Sequence, residues 1–293
     1  MDDFNKQVLK DVSIIFVNYN TRALTIDALK SVYAHSKTLN LEIIVVDNAS
    51  QDTSVEAIKK EFPKVILIEN KINIGFGRAN NLGMKIAKGK YLFLLNTDTY
   101  LLNNAIEVLF GFMELSKNKD VAVVGAQLFK PDLTHNVSAG NFPDFKAFVK
   151  ASLWRFFYSK TYFNHVAIPK KLTVSAMPYE VDYVSGADFF VRKELIDEVG
   201  GFNKRFFMYY EETELTHRIK KRYPYKRCML VPAAKIVHIS QGSNKTSNTD
   251  KKFKYRLIKS KATYFALTEG WFYGLMYYIV AIKRLIFNNK LLK

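Results

Sequence analysis

Several polar groups stand where apolar runs of this 293-residue chain end, and their types point to chemistry. Asn96-Thr97-Asp98 follows the apolar run YLFLL. A carboxylate at the exit of a buried strand can hold Mg2+ or Mn2+, hard cations that take oxygen ligands and share them with substrate phosphates. Taken alone, Asp98 is better explained by capping a helix that starts near Asn103. Asp47-Asn48-Ala49-Ser50 ends another run, where a carboxylate commonly receives hydrogen bonds from a ribose or base edge; a turn and N-cap cluster is the alternative. Tyr209-Tyr210-Glu211-Glu212-Thr213-Glu214 gathers three carboxylates at a helix start. The helix dipole accounts for part of that, and crowding behind two tyrosines would raise one carboxylate's pKa and furnish a base for a hydroxyl group. His238, after the apolar pair of KIVHIS, is a candidate ligand or phosphate contact, or a packed histidine.

Other motifs narrow the classes. Gly75-Phe76-Gly77-Arg78-Ala79-Asn80-Asn81 looks superficially like a dinucleotide fingerprint, but it follows the third strand and carries Asn80 where the third Gly or Ala belongs. A dehydrogenase is disfavoured, while a glycine-lined helix start with Arg78 can still approach a nucleotide. No GxSxG, HExxH or P-loop pattern occurs, and His35, His135, His165 and His217 lack ligand spacing, so hydrolase and NTPase readings lose support.

The elements that must position these groups alternate. VSIIFV, EIIVVD, VILIE, YLFLLN and VAVVG are separated by helical stretches at Ala23 to His35, Thr53 to Glu61, Arg78 to Ala87 and Asn104 to Leu115. Nearly continuous apolar strands separated by helices imply an α/β fold with a mainly parallel sheet flanked by helices. Ligands bind such sheets at the carboxyl ends of the strands, where Asn18, Asn20, Asp47, Asn73, Asn96 and Asp98 cluster. Between Gln127 and Glu180 no period is visible. Beyond it come a strand and short helix ended by Gly200 and Gly201, a helix over Glu212 to Arg222, two strand-like runs CMLVP and KIVHIS, and the polar segment SNKTSNTDKK.

Composition, 48% hydrophobic and 24% charged, is that of a globular chain of enzyme size. Of the net charge of +17, +16 lies from Leu215 onward, where 18 Lys and Arg face two acids. Such a block reads as a docking surface for something anionic. Gly270 to Ile282 is too short an uncharged stretch to span a bilayer. Trp271, Leu275, Tyr278 and Ile282 fall near one helical face beside Lys283 and Arg284, which suits an interfacial helix on anionic lipid; packing on the protein's own core is the alternative. The single cysteine, Cys228, and the mixed-charge N-terminus without an apolar core imply a reducing, cytoplasmic setting.

Taken together, VNYN at 17–20, VVDNAS at 45–50, NIGFGRANN at 73–81, LNTDT at 95–99, SGADFFVRKE at 185–194, GGFNKRFFMYYEETEL at 200–215 and VHISQGS at 237–243 resemble, in order, the motifs of family 2 glycosyltransferases of the inverting GT-A type. The likeness is to the bacterial rhamnosyltransferase-like branch. It implies a nucleotide-sugar-binding half over 1–125, an acceptor and catalytic-base half over 126–250, and a basic, aromatic helical tail over 251–293. It further implies donor contacts at Asn18, Tyr19, Asn20, Asp47, Asn73, Gly75, Arg78, Asn96 and Thr97, with Mg2+ or Mn2+ on Asp98 and His238. Asn96 replaces the first acid of the family's DxD motif. Gly186, Ala187 and Asp188 would cradle the acceptor, with Glu212 as the base and Glu211 as the second choice.

The resemblance implies inverting transfer from a nucleotide-diphosphate sugar, dTDP-L-rhamnose foremost, to a glycan or polyprenyl-diphosphate-linked acceptor in bacterial surface polysaccharide assembly. The tail would rest on the inner face of the plasma membrane as a peripheral anchor. The alternatives are a UDP-hexose donor (galactose, N-acetylglucosamine or galactofuranose), a catalytically dead nucleotide-sugar binder, a nucleotidyltransferase that would release pyrophosphate, and a nucleic-acid-binding protein. The last leaves Asp47, Asp98 and Glu212 without a purpose, so no nucleic-acid partner is expected.

Overall fold

A computed structural model describes residues 10–154, 175–239 and 251–287. The N-terminal stretch before Lys10, Gly242, Ser243 and most of SNKTSNTDKK lie outside the described residues.

The first half follows the expected alternation. β1 (Lys10–Asn18), β2 (Leu41–Asp47), β3 (Ile66–Glu69) and β4 (Gly89–Leu95) are linked by α1 (Arg22–His35), α2 (Ser54–Glu61) and α3 (Phe76–Ile86). They pair in parallel in the order β3-β2-β1-β4. Because side chains alternate across a strand, Ile14, Phe16, Val45 and Phe93 enter one core and Ile15, Ile44, Val46 and Leu94 another. Residues of α1 and α2 cover the first face and residues of α3 the second. This two-sided burial is why these strands read as continuous apolar runs.

Beyond β4 the chain forms β5 (Thr99–Leu101), α4 (Ala105–Glu114) and β6 (Val121–Phe129). The stretch without visible period contains the end of β6, β7 (Ala139–Gly140), α5 (Phe145–Trp154) and the start of β8 (Tyr179–Val181), which is followed by β9 (Tyr183–Val184). β10 (Asp188–Arg192) then runs antiparallel between β4 and β6, so VAVVG is not the neighbour of YLFLL that a simple βαβ series would make it. α6 (Lys193–Val199) and α7 (Glu211–Arg222) precede β11 (Arg227–His238). CMLVP and KIVHIS are thus one strand, with one of its two register shifts against β6 between Val231 and Lys235, where Pro232 has no N–H for the ladder. β11 is parallel to β6 and antiparallel to β5 and β8.

The tail is a hairpin of α8 (Lys251–Thr268) and α9 (Trp271–Phe287), broken at Gly270, whose φ is +124°. A Cβ added at Gly274 would lie 2.6 Å from the Ala262 carbonyl oxygen, so the glycine allows the two helices their close approach. Tyr264, Phe265, Tyr277 and Ala281 join Phe145 and Phe206 in a third core. Among the described residues, no helix is long and apolar enough to cross a membrane.

Candidate active site

The carboxyl ends of β1, β2 and β4 form one edge of the site. The β1–β2 register sets Asn18 beside Asp47. Asn18 Nδ2 donates to Asp47 Oδ1 at 2.6 Å and to Ser50 Oγ at 2.9 Å, and the Ser50 N–H donates to Asp47 Oδ2 at 2.9 Å. Asn18 Oδ1 accepts from Thr21 and Thr25. Both Asn18 and Asp47 are buried in this brace beneath the cleft rather than on its surface. Asn20, with φ +55°, accepts from the Gln51 N–H and ties the β1 turn to the β2 turn.

Asn48, Asn73 and Tyr19 instead face the cleft. Asn48 Nδ2 donates to Asn73 Oδ1, and that same oxygen accepts from the Gly75 N–H, both at 2.9 Å. Gly75 has φ +89°, and a Cβ there would stand 2.5 Å from the Phe207 carbonyl oxygen, which accepts the Phe76 N–H. Only glycine meets both demands. Arg78 points elsewhere: Nε and a terminal nitrogen donate to the Lys204 carbonyl at 3.0 and 2.7 Å, clamping the loop before α7 onto α3. The expectation that Arg78 faces the donor pocket is corrected by that clamp.

After β4, Asn96, Thr97 and Asp98 all line the cleft. The antiparallel β5–β11 pair sets His238 opposite Thr99. His238 Nε2 stands 3.3 Å from Asp98 Oδ1 and 3.5 Å from Asn96 Nδ2, while Asn96 Oδ1 is buried without a hydrogen-bond partner among the described residues. A carboxylate, an imidazole and the Asn96 amide therefore converge; the carboxylate and imidazole suit Mg2+ or Mn2+, and exchanging the amide's nitrogen and oxygen by a flip would add a third ligand, with positions left for phosphate oxygens and water. Among the described residues, no three His, Cys, Asp or Glu side chains gather at such a place; the third member here is an amide.

The three acids of the YYEETEL run part company in space. Glu214 forms a two-point ion pair with Arg218, both contacts at 3.0 Å, and is structural. Glu211 is buried under α3, accepts the Gly77 N–H and leaves Oε1 without a partner among the described residues. Burial, and then the neighbouring Glu212 charge, push its carboxyl up to about 8. Glu212 is half-buried on the cleft, with Oε1 accepting from Thr213 Oγ1 at 3.2 Å. Burial raises its pKa too. Desolvation thus outweighs the help that a helix N-terminus gives first-turn acids.

Opposite Glu212 lie Gly186 and Ala187, and a Cβ added at Gly186 would come 3.3 Å from Glu212 Oε2. Asp188 does not join them. It is fully buried between β4 and β6, with Oδ2 accepting the Ala126 N–H at 2.6 Å, and burial raises its pKa well above the carboxylate range. As the first residue of β10 it turns inward by the strand's alternation, which corrects its placement against an acceptor.

Sequence reasoning missed Tyr183, whose hydroxyl burial and the nearby Glu212 and Asp182 charges push up to about 12. It also missed Phe253 and Leu257 of α8, which line the same cleft of about 570 Å³. Their spacing of four residues marks a helical face, but nothing local says what that face meets. α8 also grips the strap before α7: Phe253 packs on Tyr209, Ser260 Oγ donates to the Met208 carbonyl at 2.7 Å, and Tyr264 packs on Tyr210. Tyr209 and Tyr210 are both left-handed, with φ +74° and +72°. The helix thereby holds a strained pair directly ahead of Glu211 and Glu212.

Residues 13–200 match the sequence model described as glycosyl transferase family 2. A 135-residue stretch, 42% of this chain, is 30% identical to the UDP-Glc:alpha-D-GlcNAc-diphosphoundecaprenol beta-1,3-glucosyltransferase WfaP of Escherichia coli, over 53% of that protein. A longer stretch, 68% of this chain, is 24% identical to the N-acetylglucosaminyl-diphospho-decaprenol L-rhamnosyltransferase of Mycobacterium tuberculosis, over 66% of that protein. The chain thus spans between half and two thirds of these relatives. The crystal structure of GalNAc-T7 with UDP, GalNAc and Mn2+ superposes with a TM-score of 0.61 and 16% identity, covering 89% of this chain and 48% of that one. The fold is GT-A.

Proposed function

The chain belongs to glycosyl transferase family 2, and from that premise we propose that it transfers a sugar, with inversion, from a nucleotide-diphosphate donor to a polyprenyl-diphosphate-linked or glycan acceptor. The observation that carries this reading is the shared cleft in which Glu212, beside Gly186, faces the Asn96, Asp98 and His238 group. The names of the two relatives, both acting on a diphospho-polyprenol sugar, support the acceptor class. The setting is bacterial surface polysaccharide assembly, at the cytoplasmic face of the membrane.

The mechanism is a direct displacement. The donor lies along Asn48, Asn73 and the Gly75 turn, with residues 1–125 supplying most of its contacts. The acceptor hydroxyl lies between Gly186 and Glu212, in the half over 126–250. Glu212 takes the hydroxyl proton as the oxygen bonds to the anomeric carbon, and the bond to the nucleoside diphosphate breaks on the opposite face. Asn96, Asp98 and His238 would hold Mg2+ or Mn2+, which when bound neutralises charge on the departing diphosphate. Asn18, Asp47 and Thr21 keep the β1 and β2 turns in place.

The rhamnosyltransferase likeness favours dTDP-L-rhamnose as donor, and the glucosyltransferase likeness makes a UDP-hexose the second reading. The test is transfer by the purified chain from each donor to a diphospho-polyprenol-linked N-acetylglucosamine, followed by nucleoside diphosphate release. Glu212→Gln is expected to lower turnover by about 10²- to 10⁴-fold while donor-induced thermal stabilisation persists. Full turnover in that variant rejects Glu212 as base, and pyrophosphate release from an NTP and a sugar phosphate would favour nucleotidyl transfer instead.

A further inference from the structure

The C-terminal hairpin has two unlike faces. α9 turns Gly274, Tyr277 and Ala281 inward. Its other side leaves Phe272, Leu275, Ile279 and Ile286 between 46% and 55% exposed. At 100° per residue these four fall within an arc of roughly 60°. Trp271, 74% exposed, borders the arc. This stripe is rotated by roughly 60° from the one expected from sequence, because Tyr278 and Ile282 are half-buried. Both sequence alternatives, core packing and an outward apolar face, are therefore realised by one helix.

The hairpin that carries this stripe is strongly basic. Residues 251–287 carry eight Lys and Arg and a single acid, Glu269, whose carboxylate accepts the Phe145 N–H. Lys251, Lys252, Lys254, Lys259 and Lys283 are exposed. An apolar stripe on a hairpin rich in exposed lysines, on a helix whose other side is already packed, matches the headgroup boundary of an anionic bilayer. A protein partner would need an apolar surface edged with acids to answer the same pattern.

We infer that α8 and α9 dock on an anionic phospholipid bilayer, with Phe272, Leu275, Ile279 and Ile286 in the interface and α8 standing between it and the cleft. α8 meets α9 through Tyr255, whose hydroxyl lies 3.3 Å from that of Tyr278, and presents Phe253 and Leu257 to the cleft from the opposite side. Two residues further along a helix is about half a turn. The cleft wall therefore stands about one helix spacing, ~10 Å, from the docked helix, within reach of the sugar-diphosphate head of an acceptor whose tail stays in the lipid. That last step rests on the transferase reading; the docking does not.

The test uses the full chain with Trp154→Phe, which leaves Trp271 as its single tryptophan. It is mixed with vesicles of phosphatidylcholine alone or with an equal part of phosphatidylglycerol, without donor or acceptor. Docking predicts cosedimentation only with phosphatidylglycerol, steep weakening by salt, a blue shift of Trp271 emission and quenching by brominated lipid. Replacing Phe272 and Ile279 by Ser lowers partition by about tenfold with an unchanged melting temperature. Absence of quenching at low salt, equal partition of the Ser variant, or a dimer that buries Trp271 and persists with vesicles would overturn the inference. If the Ser variant does not fold, quenching in the Trp154→Phe chain decides. Docking without sugar transfer would remove the transferase reading alone, and transfer to a soluble acceptor without docking would remove this one alone.

Discussion

His238 and Asp98, far apart in the chain, approach to 3.3 Å between Nε2 and Oδ1 because β11 lies antiparallel to β5. Next to them Asn96 brings its amide nitrogen within 3.5 Å of His238 Nε2, and its buried Oδ1 has no hydrogen-bond partner among the described residues. Changing that amide to a second carboxylate adds charge where a divalent cation would sit. Asn96→Asp is expected to tighten Mn2+ binding by roughly tenfold, and His238→Ala to weaken it, both read by titration calorimetry or Mn2+ spectroscopy without donor. Equal affinities in all three proteins would remove the metal from this corner.

Gly186 leaves room for the base. A methyl group there would come 3.3 Å from Glu212 Oε2, tighter than an ordinary contact, so the carboxylate must shift by a few tenths of an ångström. Small displacements of a reacting group cost rate rather than binding. Gly186→Ala is expected to lower kcat by roughly tenfold, with donor-induced thermal stabilisation unchanged. A normal kcat would separate Gly186 from the reaction.

Burial raises the Glu212 pKa, and a base acts in its deprotonated form. Turnover therefore falls as pH is lowered, along a limb of unit slope whose midpoint lies above the ordinary glutamate value. The pH profile of kcat at saturating donor reads it directly. A profile flat down to pH 4.5 contradicts Glu212 as base.

Glu211 offers a stability test with the opposite sense. Burial raises its folded carboxyl from the ordinary glutamate range to about 8, so the native state favours the protonated form. The stabilisation is complete below the unfolded pKa and is lost as pH rises through about 8. Glu211→Gln keeps a neutral side chain at every pH. It should raise the melting temperature by ~2 °C or more at pH 8.5 and change it little at pH 4.

Gly75→Ala tests the donor loop. The substitution places a side chain at φ +89° and a carbon 2.5 Å from the Phe207 carbonyl oxygen. The backbone penalty alone is about 1–3 kcal/mol, and the clash adds to it. Urea denaturation should show the loss, and the weaker grip of Phe76 on Phe207 should reduce the stabilisation given by a bound donor.

Much of the fold is legible along the chain. Runs such as VSIIFV and YLFLL declare strands buried on both faces, and the polar residues that end them declare the ligand edge, since a buried apolar run can stop only where the backbone meets water or a polar partner. The same reading finds Asp98, Glu212 and His238 as residue types suited to their positions. It does not sort Glu211, Glu212 and Glu214, which share one helical turn yet meet the start of α3, the cleft and an arginine in turn.

By itself the sequence determined the alternating strands and helices up to VAVVG, where their polar ends fall and which side chains are chemically able to act, because these follow from local periodicity and residue type. Tertiary structure alone decided that β10 enters antiparallel between β4 and β6 and turns Asp188 inward, that Arg78 clamps a loop, that α8 walls the cleft, and which stripe of α9 faces out. Those outcomes depend on which distant surface each face buries against. An alternating pattern encodes that a face must be covered, while the partner is chosen by packing and hydrogen bonding among elements remote in the chain.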